Sequence, residues 1–176
     1  SSARIAPQNA PRRRAGRVLG GPRNTEVERR RLDGETTLLL SHDGYVRDFG
    51  LVHQRELTLP ADGAALLGVD RLIAAERGGK HPQASDFALR FHIHPRVRVA
   101  PNADGAIELT LADGEILIFE AQDLTPEIED SIFFAAPGGA RKCAQIIVRG
   151  AAAPEAEIAW SFRRRAGEQV PPGGKV

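Results

Sequence analysis

The feature that most constrains the fold is a strict alternation of apolar and other side chains in residues 87–95. The apolar set is Phe87, Leu89, Phe91 and Ile93, and the intervening set is Ala88, Arg90, His92 and His94. Successive side chains of a β-strand point to opposite faces, so the two sets lie on opposite sides of one strand. The pattern predicts a strand of an antiparallel sheet with one core face and one polar face. Pro95 cannot donate a backbone hydrogen bond, so it ends the strand or marks an edge.

The rest of the chain repeats this strand pattern in short runs separated by turn residues such as Asp-Gly. Strands are predicted at residues 26–31, 36–41, 45–59, 66–73, 107–111, 115–120, 132–135, 143–149 and 157–164. No segment shows a helical period over about twelve residues, although the acidic stretch 125–131 is expected to hold one helical turn. Strands recurring every 8–12 residues or so are typical of an all-β fold, either an antiparallel β-sandwich or a curved multi-stranded sheet.

The composition divides the 176 residues into three parts. Residues 1–23 are rich in Pro, Gly and Arg, which predicts an irregular N-terminal arm. Residues 24–165 hold the alternating runs and are expected to form the sandwich. Residues 166–176 are rich in Pro and Gly and are expected to be a disordered tail. The chain opens at Ser1 without a methionine, so we expect a processed, engineered or fragmentary product.

Charge and apolar runs give no reason to expect nucleic acid or a membrane as partner. The net charge is +1, and the basic clusters are short. No run approaches the roughly 18 apolar residues of a membrane helix, and no secretory signal is visible. The single cysteine, Cys143, cannot form an internal disulfide. These features leave the location open; it would be periplasmic or secreted if the full-length protein carries a signal peptide.

Two groups of titratable residues are candidates for chemistry. His42 and Tyr45 flank an Asp-Gly turn, where functional groups often lie. A His/Tyr pair suits the elimination chemistry of uronate sugars, which needs a base, a charge neutraliser and an acid. We therefore treat both as catalytic candidates, with structural roles as the alternative. His53, Arg55 and Arg90 are candidates for binding the substrate.

The second group is the pair His92 and His94 on the predicted central strand. Two residues apart on one face, they are separated by about 6–7 Å at the backbone. Their rings could converge on a divalent metal ion or an anionic ligand. The alternative is that both histidines are structural and hydrogen-bonded to neighbouring groups.

An ordered series of short motifs resembles the C-terminal β-sheet region of heparinase II/III-like proteins. The resemblance covers about residues 20–165, and each motif is weak by itself, so its specificity comes from order and spacing. The motifs are Ser41-His42-Asp43-Gly44-Tyr45, Gly50-Leu51-Val52-His53-Gln54-Arg55, Val69-Asp70-Arg71-Leu72, Phe91-His92-Ile93-His94-Pro95, Glu129-Asp130-Ser131, Gln145-Ile146-Ile147-Val148 and Ala159-Trp160-Ser161-Phe162-Arg163-Arg164.

The resemblance implies a two-part polysaccharide lyase in which an N-terminal α/α toroid precedes an antiparallel β-sandwich and the substrate lies between them. The family's catalytic His-x-His-x-Asp motif is absent here, and Arg23-Asn24-Thr25 lacks the histidine of its metal-binding His-Asn-Thr motif. The implied partners are therefore a toroid outside this chain and an acidic polysaccharide such as a glycosaminoglycan or alginate. A divalent metal is implied for the full-length protein alone. The isolated module is expected to lack a complete active site; the alternative is a non-catalytic carbohydrate-binding or scaffolding domain.

Overall fold

A computed structural model describes residues 2–5, 12–14, 17–19, 21–76, 85–134 and 139–165. These residues form antiparallel strands and one helical turn, and the all-β prediction is confirmed. The elements are β1 Ser2–Ile5, β2 Arg12–Arg14, β3 Arg17–Leu19, β4 Thr25–Leu32, β5 Glu35–Tyr45, α1 Val46–Phe49, β6 Leu51–Leu59, β7 Ala65–Ala74, β8 Ser85–His92, β9 Arg98–Pro101, β10 Ile107–Thr110, β11 Ile116–Ala121, β12 Glu127–Phe133, β13 Arg141–Ala152 and β14 Ala156–Arg164.

Two large sheets form the sandwich. The eight-stranded sheet has the order β4-β5-β6-β7-β14-β11-β10-β9, and the four-stranded sheet has the order β1-β8-β13-β12. The strands β2 and β3 form a separate pair. No helix in the described part of the chain has the length and apolar character needed to cross a membrane.

The core lies between the two sheets, and the alternation on β8 determines which face enters it. Phe87, Leu89, Phe91 and Ile93 are 6%, 2%, 4% and 8% exposed, whereas His92 and His94 are exposed. The Phe91 ring packs against Phe119 of β11 and Trp160 of β14, with centroid distances of 4.9 and 4.7 Å. The predicted faces of the central strand are therefore confirmed, although the strand ends at His92 and the chain then turns at Pro95.

Three local expectations differ from the structure. Tyr45 ends β5 instead of opening the next strand, because the turn α1 follows it and closes at Gly50 with a φ of 68°. The helical turn expected at 125–131 is wrong, because β12 forms there and pairs in register with β13. The arm expected to be irregular contributes three short strands, of which β1 pairs with β8. The tail at 166–176 lies outside the described residues.

Candidate functional site

A cluster of polar side chains enters the core where β5, β6, β7 and β14 lie side by side. Cross-strand neighbours share a face of a sheet, and the register pairs His42 with His53, Arg55 with Asp70, and Gly68 with Trp160. All of these positions face the four-stranded sheet. We call this cluster the Asp70 network, and its members are His42, His53, Arg55, Asp70 and Trp160.

The centre of the network is the carboxylate of Asp70, which is 1% exposed. Its Oδ1 accepts hydrogen bonds from His53 Nε2 at 2.6 Å and Arg55 Nε at 2.7 Å. Its Oδ2 accepts from Arg55 Nη2 at 3.0 Å and Trp160 Nε1 at 2.7 Å. Four donors use the acceptor sites that an ionised carboxylate offers, so Asp70 is fully satisfied without water.

The hydrogen-bond donors around Asp70 stabilise its ionised form. Burial by itself would raise the pKa of this carboxyl, but the hydrogen bonds from His53 and Arg55 outweigh burial and lower the pKa. The Arg55 guanidinium also lies over the rings of Trp160 and Phe91, with its Cζ 5.6 and 5.9 Å from the centroids. The ion pair and the contact with Trp160 lie within the eight-stranded sheet, and the contact with Phe91 joins that sheet to β8 of the other sheet.

The two histidines extend the network in one direction. The Gly44 N–H donates to His42 Nδ1 at 3.2 Å, which requires an unprotonated Nδ1. A neutral His42 then carries its proton on Nε2, which lies 3.1 Å from His53 Nδ1 and donates to it. His53 must in turn carry its proton on Nε2, where it donates to Asp70. Both ring nitrogens of His42 and both of His53 therefore take part in hydrogen bonds.

Burial keeps His42 neutral. Desolvation has the largest effect and lowers the pKa of its imidazole, His53 lowers it further, Asp43 raises it, and Arg55 lowers it by less than Asp43 raises it. Protonation would also place a second proton on Nδ1 and break the bond from Gly44. The hydrogen-bond direction and the lowered pKa therefore agree on a neutral ring.

Tyr45 completes the interior side of the site. It is 7% exposed, and its ring lies 5.2 Å from that of His42 and 6.3 Å from that of His53. Phe49 of α1 packs on its other side at 6.4 Å. The structure therefore brings the predicted catalytic pair His42 and Tyr45 together, with Tyr45 buried in the core and His42 partly buried beside it.

Asp43, which follows His42 of the network, holds the segment that leads into β4. The pairing of β5 with β6 shifts register between His42 and Tyr45, which lets Asp43 turn toward the preceding segment. The Asp43 carboxylate accepts from the backbone N–H of Arg23 at 2.6 Å and of Asn24 at 3.1 Å. The irregular end of β5 thus anchors residues 23–24 beside the histidines.

The predicted substrate-binding residues fall in two places. His53 and Arg55 are 5% and 8% exposed and belong to the Asp70 network, so their polar atoms face the interior. Arg90 lies on the outer face of the four-stranded sheet, where its Nη1 is 3.4 Å from Glu129 Oε2. Glu129 also pairs with Arg149, whose hydrogen bond lowers the pKa of that carboxyl. Arg90 therefore lies in a mixed-charge cluster and not in a cationic patch.

The predicted metal ligands His92 and His94 have separate partners. His92 Nδ1 lies 2.9 Å from Ser131 Oγ. His94 Nδ1 accepts from the Arg96 N–H at 3.2 Å, and its ring packs against Phe133 with centroids 5.0 Å apart. In the ranges that the structure describes, no group of three or more His, Cys, Asp or Glu side chains is arranged to hold a metal ion.

The sequence analysis did not predict that Asp70 is the hub of the site, although a signal for that role was present. Asp70 is a charged residue at a core-facing position of β7, Ala65–Ala74, between the core-facing residues Gly68 and Leu72. Two positions earlier stands Gly68, where an added Cβ would lie 2.2 Å from Trp160 Cζ2. A buried carboxylate beside a glycine that admits a large ring indicates a specific partner on the next strand.

Comparison with known proteins gives one family for the sequence. A family model described as Heparinase II/III-like, C-terminal, matches residues 1–161. The chain is also 33% identical over 159 residues to FtsZ-localized protein C of Caulobacter vibrioides (strain NA1000 / CB15N). That match covers 85% of this chain but 27% of the relative, so the chain spans about a quarter of that protein's length.

Solved structures of heparinases have the same fold as this chain. Heparan sulfate lyase HepC from Pedobacter heparinus superposes with a TM-score of 0.66 at 12% identity, over 84% of this chain and 23% of that chain. The heparinase III BT4657 gene product superposes with a TM-score of 0.61 at 12% identity, over 85% of this chain and 23% of that chain. Identities this low show the fold alone. The family model matches most of the sequence, and the chain therefore belongs to the Heparinase II/III-like, C-terminal family.

Proposed function

We propose that this chain is the C-terminal β-sandwich module of a polysaccharide lyase, and that its active site is incomplete without an N-terminal α/α toroid. The whole protein would cleave an acidic, uronate-containing polysaccharide by β-elimination. Family membership supports the reaction class. The structural neighbours, which include a heparan sulfate lyase, are consistent with a glycosaminoglycan or alginate as substrate.

The proposal that the active site is incomplete rests on one observation: the histidines and the carboxylate of the Asp70 network already have hydrogen-bond partners. A general base must reach the proton that it removes, either directly or through one water. His42 and His53 have both ring nitrogens engaged, and Asp70 accepts four hydrogen bonds in the core. These groups cross-link neighbouring strands of the eight-stranded sheet, so we expect the elimination to require residues supplied by another part of the protein.

An elimination assay tests this proposal. Each β-elimination leaves an unsaturated uronate end that absorbs ultraviolet light, so turnover can be followed directly. We expect the 176-residue chain to release no such ends from heparin, heparan sulfate or alginate, and the full-length parent protein to release them from at least one. Turnover by the isolated chain would contradict the incomplete site, and an inactive parent would contradict the lyase assignment.

A second candidate function is a non-catalytic module that binds carbohydrate or scaffolds a partner. One observation favours it: the relative that is 33% identical is named for localisation with FtsZ and not for a reaction. An inactive parent that still co-sediments with polysaccharide, or with FtsZ filaments, would support this candidate.

A further inference from the structure

The strand β4 forms one edge of the eight-stranded sheet. Within the described residues it pairs with β5 alone. All eight of its residues are exposed, and the ladder with β5 runs from Thr25↔His42 to Leu32↔Glu35 without a shift of register. A regular strand of this length presents a row of unpaired N–H and C=O groups to any extended segment beside it.

The opposite edge of the same sheet is protected. It is formed by β9, which has four residues and ends at Pro101. A short strand with a proline offers few backbone groups for pairing, which is how natural sheets block an edge. By comparison β4 is twice as long and contains no proline, so the two edges are not equivalent.

The side chains of β4 that face the core side of the sheet are cationic and apolar. The register places Val27 beside Leu40 and Arg29 beside Leu38, on the face that also carries Leu57 of β6. Val27 is 67% exposed, and Leu59 at the end of β6 is 47% exposed. The core side of this edge therefore joins exposed aliphatic surface to two guanidinium groups, those of Arg29 and Arg31.

These two arginines are not neutralised within the described part of the molecule. Arg29 and Arg31 take part in none of the ion pairs between described residues. The ion pairs near this edge lie on the opposite face, where Arg30 binds Glu28 and Arg71 binds Glu56. The core side of β4 thus carries two unpaired positive charges, which an acidic partner would complement.

We propose that β4 is a docking edge for an extended acidic segment of a partner protein, which adds to the sheet as a further strand. Backbone hydrogen bonds to the open edge would supply affinity, and alternate side chains would supply specificity. Opposite Val27, Arg29 and Arg31 the segment would place an aliphatic residue and two acidic residues, each two positions apart. Because the pairs of this sheet are antiparallel, the added strand would run opposite to β4, and the partner motif read from its N-terminus is acidic-x-acidic-x-aliphatic.

A second copy of this chain does not fit the edge equally well. Two β4 strands related by a two-fold axis would pair core-side residues with core-side residues. The core-side positions of β4 are Thr25, Val27, Arg29 and Arg31, and none is acidic. Such a pairing would leave four guanidinium groups on one face with no carboxylate opposite.

The test uses the whole chain and a synthetic strand peptide with glutamate, glutamate and valine, in that order from the N-terminus, at alternate positions and threonines between them. Fluorescence anisotropy measures its affinity, and amide hydrogen exchange of residues 25–32 reports strand addition. The double variant Arg29→Glu/Arg31→Glu should weaken binding about five- to tenfold, because two exposed cross-strand charge pairs are lost. The same variant should bind a peptide with lysines in place of the glutamates more tightly than the parent does.

The matched control is Arg30→Glu, which reverses a charge on the same strand but on the opposite face. It should leave the affinity of the acidic peptide unchanged, and circular dichroism checks that each variant folds. An equal loss in Arg30→Glu would overturn the proposal, as would binding without slower exchange in β4, or no binding at about 1 mM peptide. If heparin binds through Arg29 and Arg31 while the peptide does not, the edge serves a polysaccharide and the proposal fails.

Discussion

The substitution Asp70→Asn tests the structural role of the buried network with little change in shape. Asp70 accepts four hydrogen bonds and balances the charge of Arg55, which is 8% exposed. An asparagine amide would keep one acceptor oxygen but would turn an NH2 group toward donors. Arg55 would then remain in the core as an unpaired cation.

The magnitude follows from these contacts. Removing one partner of a buried ion pair costs about 3–5 kcal/mol. Leaving the Trp160 N–H or the His53 N–H without an acceptor costs about 1–3 kcal/mol, and the two losses overlap because both belong to one carboxylate. We therefore expect Asp70→Asn to lower the free energy of unfolding by about 4 kcal/mol, a large share of the 5–15 kcal/mol or so typical of a folded domain.

Equilibrium urea denaturation measures this loss, and the single tryptophan, Trp160, reports it by fluorescence from inside the network. The matched control is Glu157→Gln, which removes an ion pair with Arg71 at the surface, where the Glu157 side chain is 56% exposed. Solvent screening makes such a pair worth less than about 1 kcal/mol. The double variant Asp70→Leu/Arg55→Met should be less damaging than Asp70→Leu alone, because it leaves no buried charge.

The reasoning is refuted if Asp70→Asn and Glu157→Gln destabilise the chain equally. It is also refuted if the double variant loses as much stability as the sum of the single variants, because coupled partners cannot behave additively.

Three further predictions concern the core and its titration. Phe91→Ala should cost about 3–5 kcal/mol, whereas His92→Ala should cost much less; chelator sensitivity of the parent in the same denaturation assay would instead indicate a metal at His92. Gly68→Ala should displace the Trp160 ring and cost about 1–3 kcal/mol, with a shifted fluorescence maximum; an unshifted maximum would contradict the close approach. Because burial lowers the pKa of His42 below its ordinary value of 6.5, the unfolded chain binds the proton more readily. The stability from His42 should be complete above about pH 6.5 and should decrease as the pH falls below it, a decrease that His42→Gln should reduce in urea titrations at several pH values.

The parts of the fold that the sequence predicts are those governed by alternation. The faces of β8 follow from Phe87, Leu89, Phe91 and Ile93, because a slip of one residue would expose four large apolar groups. The hairpin turn at Asp33-Gly34 between β4 and β5 follows from backbone geometry, since both residues have positive φ values of 50° and 84°. The acidic stretch before β13 misled the interpretation because cross-strand pairing, and not local propensity, decides such a segment.

The site could not be predicted because its members are distant in sequence. Asp70 and Trp160 are 90 positions apart, and His53 lies 17 positions before Asp70. Only the strand order β6-β7-β14 brings them together, and short strands give no signal of their order in a sheet. His42 precedes an Asp-Gly pair, which predicts an accessible turn residue, but its partly buried ring lies against His53 at the irregular end of β5 instead.

The central claim is that His42 and His53 are committed to a neutral, directed network and are not free to act as a base. Nitrogen-15 NMR of the imidazoles measures this directly, because protonated and unprotonated ring nitrogens have distinct chemical shifts. We predict that at neutral pH both His42 and His53 carry one proton, on Nε2, and that each Nδ1 is unprotonated. A proton on His42 Nδ1, or rapid exchange of either Nε2 proton with solvent, would contradict the account and return His42 to the list of candidate bases.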